Sequence, residues 1–371
     1  MIKIACIGNI SRDYALTTGL HAYTSLGGNA LFTALSSVSL GVTTTVFGNM
    51  GHEDMEVYKT EGLSDLISNK YEPIFPNSFN ELYIFSKEHN GQLHLEGINH
   101  IDGLGNVVFI KSKTDYSSSS DTYIYSLAPR LDEYFVINNM HILAEFDAIL
   151  LCPVNGEVSG KLVKVIRECC KNSFLTIDMQ GTVRQVGIDR KEYSTFVPEI
   201  QDYISNVDFI KLNDIEAQYA FGIKIPIPVT RSNWHTILRY PIEQILHYTK
   251  TCNPDLIFMI TFGAEGLIII TDSRKIIFIK ALPSTVIDHL GAGDAAHAAF
   301  VKCFLLAKNI QGDCYAATER IICAGIASSV SGSLVVQGMG ALGCLSLENF
   351  DQAMSRLDIQ NQVLSYDISS L

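Results

Sequence analysis

The segment Gly291–Asp294 reads Gly-Ala-Gly-Asp and combines small side chains with one carboxylate. Two strand-like apolar runs, Leu267–Ile270 and Lys275–Ile279, precede it, and an amphipathic helical pattern follows it. At a helix start, small residues leave backbone N–H groups unobstructed, and the helix N-terminus adds partial positive charge. Such a turn favours an anion site suited to phosphate. With Asp294 beside it as a base, the segment has the two groups that phosphoryl transfer to a hydroxyl requires.

Other interpretations of this segment stay open. It fits the relaxed dinucleotide-binding pattern G-x-G-x-x-A, although Asp288 and His289 interrupt the strand that should precede that pattern. It could also be a glycine-rich turn in which Asp294 only caps a helix. A second glycine-rich stretch, residues 156–162, is one residue short of a Walker A loop and lacks the Ser or Thr after Lys161. That stretch predicts no phosphate site.

The elements that must position Asp294 alternate between apolar strands and amphipathic helices. The apolar runs that predict strands are Ile2–Ile7, Val42–Phe47, Ala148–Cys152, Phe174–Ile177, Asp208–Leu212 and Leu256–Phe262. Helical patterns follow several of them, for example between Ala30 and Val38. Continuous apolar strands between helices indicate a parallel sheet that is covered on both faces.

One region departs from this alternation. Residues 79–98 surround Asn90-Gly91, a strong turn signal, and predict a β-hairpin. With the polar stretch Ser117–Ser120 as a loop, residues 76–126 are expected to form a small antiparallel piece outside the main sheet. Residues 222–240 and the stretch after residue 346 carry no motif that we can interpret.

Composition excludes several classes of protein. Of the 371 residues, 47% are hydrophobic and 18% are charged, which predicts a large core and excludes an intrinsically disordered chain. The net charge of −12 argues against a nucleic-acid or anionic-membrane partner. We expect no transmembrane helix and no signal peptide. Nine cysteines without zinc-site spacing predict free, buried thiols and a cytoplasmic location.

The segment Asp288–Asp294 resembles the D-T-x-G-A-G-D signature of the PfkB, or ribokinase-like, carbohydrate kinases. Four other segments resemble motifs of this family in the family's order: Leu26–Gly51, Asp178–Arg184, Lys211–Glu216 and Ile260–Gly266. They are similar to a double-glycine motif with its following G-x-x-G turn, to D-x-Q-G-x-x-R, to K-x-N-x-x-E and to T-x-G-x-x-G. The resemblance implies a three-layer α/β/α fold with a mostly parallel central sheet. It also implies one kinase domain over residues 1–371, with a small β lid near residues 12–28 and 76–126.

The resemblance further implies an ATP-dependent kinase that transfers the γ-phosphoryl group to a primary hydroxyl of a sugar or sugar-like substrate. Asp294 would be the general base. The backbone of Gly291, Ala292, Gly293 and Asp294 would be the anion hole for the charge that develops on the transferred group.

For the nucleotide, the resemblance implies that Asn213 and Glu216 organise Mg²⁺ and the ATP phosphates, Glu216 through water. Five further residues would lie near ATP: Thr261, Gly263, Gly266, Ala327 and Gly338. Structural alternatives are a capping box for Asn213 and Glu216, an ordinary turn for the glycines and helix packing for Ala327. Asp288 would be a site for a monovalent cation such as K⁺, although His289 replaces the Thr that is usual in the family and weakens this transfer.

On the substrate side, the resemblance implicates Asp13, Gly27, Gly28, Asn29 and Arg184. Asp13 and Asn29 would contact sugar hydroxyls, the glycines would act as lid hinge and substrate contact, and Arg184 would pair with a carboxylate or phosphate. Alternatively, Asp13 is an ordinary surface residue, Asn29 a helix cap, and Arg184 structural. The hairpin near residues 79–98 would be the lid that excludes water.

Two alternative functions remain at this point. Phe32, which stands where many sugar-phosphorylating relatives carry Asn, and lid aromatics Tyr83 and Phe85 would favour a nucleoside (adenosine-like) kinase. His289 would favour a catalytically silent relative that only binds a ligand. The sequence leaves the acceptor molecule open, and it leaves the oligomeric state open between monomer and homodimer.

Overall fold

A computed structural model describes residues 2–16, 22–51, 71–88, 93–112, 120–226, 229–230, 232–271, 275–311, 317–357 and 362–367. Within these ranges a ten-stranded sheet runs through the molecule. In chain order its strands are β1 (Lys3–Ile7), β4 (Thr43–Met50), β6 (Leu93–His100), β9 (Ala148–Leu151), β10 (Phe174–Asp178), β13 (Phe209–Asn213), β14 (Ile257–Thr261), β15 (Gly266–Ile270), β16 (Lys275–Lys280) and β17 (Val363–Asp367).

The spatial order of these strands is β6-β4-β1-β9-β10-β13-β14-β15-β16-β17. The strands from β6 to β14 run parallel to one another, and β15, β16 and β17 continue the sheet antiparallel. Each apolar run that predicted a strand forms one. The carboxyl ends of the parallel strands therefore meet at one edge of the sheet, which is where open α/β sheets bind ligands.

Helices cover both faces of the sheet. They span Asn29–Ser39, Phe79–Glu88, Glu133–Leu143, Gly160–Cys169, Ile200–Ile204, Asp214–Phe221, Trp234–Ile237, Arg239–Cys252, Ala292–Gln311, Ala317–Val335, Gly340–Leu345 and Phe350–Ser355, with short 3₁₀ turns at Gly263–Glu265 and Ser346–Asn349. Because successive strand residues face opposite ways, Ile4 and Cys6 belong to one core and Ala5 and Ile7 to the other. The predicted three-layer α/β/α fold is confirmed.

A second, five-stranded sheet lies outside the main one; we call it the small sheet. Its strands are β2 (Ser11–Leu16), β3 (Ala22–Gly27), β5 (Glu72–Pro73), β7 (Asn106–Ser112) and β8 (Ser120–Ser126), in the order β5-β3-β2-β7-β8. Its apolar face, which includes Tyr23 and Val108, packs against Leu290 and Met339 of the main body. The small sheet therefore rests on the loop that leads into the helix Ala292–Gln311.

The predicted hairpin at residues 79–98 is wrong. Residues Phe79–Glu88 form a helix, and β6 is an edge strand of the main sheet that pairs parallel with β4. Leu82 and Phe85 are buried in the main core, and with Phe79 they recur every third residue, which fits a helix. The turn signal Asn90-Gly91 lies outside the described residues.

The two segments without a motif have structural roles. In the first, Trp234 is buried and stacks on Phe278 of β16, with ring centroids 5.6 Å apart. In the second, Phe350 joins the main core and β17 completes the sheet edge. A third sheet has two antiparallel strands, β11 (Arg184–Val186) and β12 (Glu192–Ser194), and Arg184 is the first residue of β11. None of the helices in the described ranges is long and apolar enough to cross a membrane.

Candidate active site

The glycine turn and the start of the helix Ala292–Gln311 lie against the strand ends. Gly291 has φ +82°, a conformation that favours glycine, and a Cβ built on Gly293 would lie 2.6 Å from Lys211 Nζ. Phe300 stacks on Phe209 of β13, with centroids 4.1 Å apart, and this contact fixes the helix against the strand that carries Lys211. The first N–H groups of a helix have no acceptor within it, so the turn offers donors to an anion.

Asp294 lies in the first turn of this helix and is only 5% exposed. Thr33 donates a long hydrogen bond of 3.4 Å from Oγ1 to its Oδ1. Burial raises the pKa of Asp294 to about 7, and the charge of Asp178 acts in the same direction, while Lys211 and Arg184 oppose both. A carboxyl group with a pKa near neutrality can take up and release a proton, which suits a general base.

Lys211 and Asp178 form an ion pair beneath the turn. Lys211 Nζ donates to Asp178 Oδ2 at 2.8 Å, and the two side chains are 3% and 0% exposed. Burial opposes the charge of Lys211, but the carboxylates of Asp178, Glu216 and Asp294 raise its pKa. Both residues belong to the motifs found in the sequence. The motifs alone do not predict that Lys211 and Asp178 form an ion pair.

His297, one turn after Asp294, is also buried, and its Nε2 lies 2.8 Å from Thr176 Oγ1. Burial lowers the pKa of His297 to about 4, so its ring is neutral at physiological pH. It adds no positive charge to the group around Asp294.

Asn213 and Glu216 form a complete capping box at the start of the helix Asp214–Phe221. Glu216 N donates to Asn213 Oδ1 at 2.7 Å, and Asn213 N and Nδ2 donate to Glu216 Oε2 and Oε1 at 2.7 and 2.8 Å. Burial raises the pKa of Glu216 to about 7, against the charge of Lys211. One carboxylate and one amide suit Mg²⁺ held mainly by phosphates and water, rather than a cage of protein ligands. Among the described residues, no cluster of three or more His, Cys, Asp or Glu side chains could hold a metal ion.

The turn after β14 holds three of the predicted nucleotide residues. Thr261 Oγ1 donates to Leu212 O at 3.4 Å, and Gly263 is exposed in a short helical turn. Gly266 has φ +122°, and its Cβ position lies 2.1 Å from Ile279 O, so packing alone requires glycine there. Of these residues, Gly263 is the one with open surface beside it.

Ala327 and Gly338 occupy packed positions. Ala327 is fully buried in the main core, on the helix Ala317–Val335. A Cβ on Gly338 would lie 2.6 Å from Gly343 Cα. Helix and loop packing accounts for both residues in this structure.

On the substrate side, Asp13 and the double glycine fit closely together. Asp13 in β2 is 4% exposed, and Ser11 Oγ donates to its Oδ1 at 2.6 Å. Burial raises the pKa of Asp13 to about 6. A Cβ on Gly27 would overlap Asp13 Oδ2 at 1.9 Å, and Gly28 has φ +94°. Asp13 is therefore buried, and the surface alternative for it is wrong.

Asn29 and Arg184 are connected through Gln180, which sequence reasoning did not single out. Asn29 Nδ2 donates to Pro153 O at 2.8 Å, and the Gln180 amide lies 3.3 Å from Asn29 Oδ1. The helix cap is Gly28, so the capping alternative for Asn29 is wrong. With its oxygen turned toward Arg184, Gln180 accepts from both guanidinium Nη atoms at 2.6 and 2.9 Å.

Arg184 is held by Glu192 of β12. Its Nε and Nη1 lie 3.0 and 3.3 Å from the two carboxylate oxygens of Glu192, a forked arrangement. Burial raises the pKa values of Asp13, Glu216 and Asp294, and the charge of Arg184 opposes this at all three. The positive charge of Arg184 therefore acts on both the predicted substrate side and the predicted phosphoryl-transfer side.

Asp288 has its carboxylate surrounded by donors. Tyr23 Oη and Gly340 N donate to Oδ2 at 2.5 and 3.0 Å, and Leu290 N donates to Oδ1 at 3.1 Å. These donors use most of the roughly four lone-pair sites of the carboxylate and leave little capacity for a cation. The donor set does not fit K⁺ at the Asp288 side chain.

Two of the three aromatic residues that favoured a nucleoside acceptor are buried in the main core. Phe32 is 4% exposed in the main core, beside Gly291. Tyr83 and Phe85 lie on the helix Phe79–Glu88 and not in the small sheet, and Phe85 is buried. Core packing therefore accounts for Phe32 and Phe85, and Tyr83 is 48% exposed on its helix.

The fold is that of a ribokinase-like α/β protein, in which the charge of Arg184 acts on Asp13, Glu216 and Asp294. The model of the pfkB family carbohydrate kinases matches residues 120–346, more than half of the chain. The chain therefore belongs to this family, and the resemblance seen in the sequence is confirmed. A comparison with curated protein sequences finds no significant match.

Solved structures of similar fold cover nearly the whole chain. A ribokinase from Giardia lamblia has a TM-score of 0.69 at 16% identity, covering 96% of this chain and 100% of that one. A pyrophosphate-dependent kinase of the ribokinase family, complexed with a pyrophosphate analogue and myo-inositol, has a TM-score of 0.63 at 18% identity, covering 94% and 99%. An Arabidopsis thaliana ribokinase with ribose and ATP has a TM-score of 0.61 at 15% identity, covering 95% and 97%.

Proposed function

We propose that this protein is a kinase that transfers the γ-phosphoryl group of ATP to a primary hydroxyl of a sugar or sugar-like molecule. The observation that carries the proposal is the buried Asp294 carboxylate beside the glycine turn at a helix N-terminus. A base and a set of backbone donors at one point are what this reaction needs, because positioning and charge stabilisation supply most of its rate.

In the proposed reaction, Asp294 accepts the proton of the acceptor hydroxyl as its oxygen bonds to the γ-phosphorus. The bond from that phosphorus to the bridging oxygen breaks, and ADP leaves with the electron pair. Backbone N–H groups of Gly291, Ala292, Gly293 and Asp294 stabilise the charge on the transferred group. Product release returns the proton from Asp294 to solvent.

The acceptor would lie between Asp13, Asn29 and Arg184. Asp13 and Asn29 offer buried hydrogen-bonding groups to hydroxyls, as a polyhydroxylated ring requires. The similar folds that bind ribose and myo-inositol support this acceptor class. The small sheet, rather than the helix Phe79–Glu88, would be the lid that keeps water from the phosphoryl group.

When bound, Mg²⁺ would neutralise charge on the donor phosphates. Glu216 and Asn213 would hold it through water while their capping box stays intact. Gly263, in its exposed turn, would lie beside the nucleotide. The unpaired cysteines of the described chain support a cytoplasmic location, and the acidic chain supports a small-molecule partner rather than a nucleic acid.

Pyrophosphate is a second candidate donor. The likeness to a pyrophosphate-dependent kinase of similar fold favours testing it. The glycine turn would bind the transferred phosphoryl group in the same way with either donor. The two reactions differ in the leaving group, which is ADP or inorganic phosphate.

The test is an acceptor screen with both donors. Purified protein is incubated with Mg·ATP or Mg·pyrophosphate and a panel of pentoses, hexoses, cyclitols and nucleosides, and phosphorus NMR identifies the product. We expect a phosphate ester at a primary hydroxyl of a sugar or sugar-like acceptor, formed about 10²-fold or more slowly by Asp294→Asn at the same protein concentration. Donor binding without phosphate transfer to any acceptor would instead support a silent, ligand-binding relative.

A further inference from the structure

The ion pair of Lys211 and Asp178 has no part in the reaction proposed above, yet it is among the most deeply buried charges in the described chain. Its two side chains are 3% and 0% exposed. Burying two charges costs desolvation energy that their attraction often fails to recover, so stability alone is a weak reason for such a pair. A functional role for the pair would depend on the groups next to it.

The pair is held rigidly by the main sheet. Asp178 and Lys211 are direct partners in the parallel pairing of β10 with β13. Asp178 uses Oδ2 for Lys211 and accepts Gln180 N on Oδ1 at 3.0 Å. Both charges therefore have fixed positions relative to the carboxyl edge of the sheet.

The ammonium group lies directly against the glycine turn. The Cβ position of Gly293 is 2.6 Å from Lys211 Nζ, so no side chain separates that charge from the backbone next to Asp294. Asp178 Oδ2, which carries the opposite charge, lies 2.8 Å from the same Lys211 Nζ atom. Asp294 therefore lies close to one positive and one negative charge that are both fixed.

We propose that Lys211 and Asp178 are positioning residues that together set the charge state of Asp294; this inference rests on the proposed function and deepens it. Lys211 favours the ionised carboxylate, which can accept a proton. Asp178 disfavours it and keeps the carboxylate basic. Either charge alone would leave Asp294 too weak a base or already protonated at neutral pH.

The other groups that face Asp294 are known from the structure. Arg184 of β11 adds positive charge, and Thr33 of the helix Asn29–Ser39 donates a hydrogen bond. Cys6 and Cys152 face Asp294 from β1 and from the end of β9, and burial raises the pKa of each thiol, so both stay neutral. His297 of the same helix is neutral as well. Cys344 is a further thiol that interacts with Asp294, and burial raises its pKa as well. The charges with the largest effect on the pKa of Asp294 are those of Asp178, Lys211 and Arg184.

The test compares Lys211→Met with Asp178→Asn. We expect the acid limb of the pH profile of kcat/KM to move up by about one pH unit or more in Lys211→Met and down by a similar amount in Asp178→Asn. The double variant, which removes both charges, should return toward the wild-type limb. A purely structural pair would lower activity and stability in each single variant without opposite displacements, and that result would overturn the proposal.

A matched control is the ion pair of Arg167 and Asp208, with Nη2 2.6 Å from Oδ2. Asp208 immediately precedes β13, at the opposite end of the strand that carries Lys211. Arg167→Met removes an ion pair at that end of the strand, whose side chains are 22% and 39% exposed, and should leave the acid limb in place. If it moves the limb as far as Lys211→Met does, the displacement reflects general loosening and the inference fails.

A second readout does not need turnover. The pH dependence of the unfolding free energy, compared between each background and the same background carrying Asp294→Asn, reports the titration of Asp294 itself. If the pKa of Asp294 moves in opposite directions in Lys211→Met and Asp178→Asn but no acceptor is phosphorylated, the effect of the pair is supported and the proposed kinase reaction is rejected. If the protein phosphorylates an acceptor but the pKa of Asp294 is the same in all backgrounds, the kinase reaction is supported and the effect of the pair is rejected.

Discussion

Asp288 and Asp294 lie six residues apart in the chain, on either side of the same glycine turn, and both are almost completely buried. Asp288 accepts hydrogen bonds from Tyr23, Gly340 and Leu290. Among the described residues, Asp294 accepts one side-chain hydrogen bond, from Thr33 at 3.4 Å. The first carboxylate is solvated by the protein, and the second is surrounded by charges with few donors.

If Asp294 is the base that we propose, this difference separates a structural carboxylate from a reactive one. The donors that point at Asp288 satisfy its carboxylate oxygens within the fold. A buried carboxylate with few donors keeps its basicity, as the raised pKa of Asp294 indicates. Burial and a place in the family signature are common to both residues, so neither feature identifies the base by itself.

The largest effect is expected from Asp294→Asn. Asparagine has the size of aspartate and can still cap a helix, but it cannot accept the proton, so kcat should fall by about 10²–10⁴-fold. Steady-state kinetics measures this loss, and calorimetric titration with ATP should show nearly unchanged affinity. Equal activity in the variant would remove Asp294 from the role of base. Loss of folding would support the capping interpretation instead.

Asp288→Ala should show the opposite pattern. It leaves the Tyr23 hydroxyl and the amides of Leu290 and Gly340 without their acceptor, so the free energy of unfolding should fall by about 3 kcal/mol or more. Urea denaturation measures that loss. At a temperature where the variant is folded, its kcat should fall less than that of Asp294→Asn. A larger loss of kcat than in Asp294→Asn would break the distinction between the two carboxylates.

The pH dependence of stability gives a further comparison. Burial raises the pKa of Asp13 to about 6 and those of Glu216 and Asp294 to about 7, so between about pH 4 and pH 7 the folded protein binds more protons than the unfolded chain. Stability from these groups therefore falls as pH rises through this window, by about 1.4 kcal/mol per pH unit for each group that titrates. The loss is complete about one pH unit above the pKa of Glu216 and Asp294.

Urea denaturation at a series of pH values, on wild type and Asp294→Asn, isolates the contribution of Asp294. The comparison is needed because burial lowers the pKa of His297 to about 4, which gives a slope of opposite sign between about pH 4 and 6.5. The variant should lose less stability than wild type between pH 4 and 7. Identical slopes would mean that Asp294 titrates at its ordinary value in the folded protein.

The sequence predicts the surroundings of Asp294 better than those of Asp288, and the difference has a physical reason. Local patterns specify the strands and the helix that place Asp294: the run Asp208–Leu212 matches β13 within one residue, and the run Leu256–Phe262 contains β14. The partners of Asp288 are set by tertiary packing, since Tyr23 is 265 positions away in the chain. No local pattern encodes such a contact.

The same limit explains the two main failures of prediction. For residues 79–98, one turn signal outweighed the spacing of Phe79, Leu82 and Phe85, which fits a helix against the main core. For the site, motif residues were found, but the pairing of Lys211 with Asp178 depends on the register of β10 and β13, which the motifs do not give. Sequence identified the residue types at the site, and the structure was needed to distinguish the satisfied groups from those with few partners.

The smallest effect is expected from Tyr23→Phe, which removes one of the three donors to Asp288. Two backbone donors remain, so the free energy of unfolding should fall by about 1 kcal/mol. Because Tyr23 also joins the small sheet to the loop before the glycine turn, KM for the acceptor should rise more than KM for ATP. Tyr203→Phe is the matched control: that buried hydroxyl donates to Val158 O at 3.0 Å, in the other core, and its loss should lower stability alone. If the two variants have the same kinetics, Asp288 serves the fold locally and the small sheet closes over the site without its help.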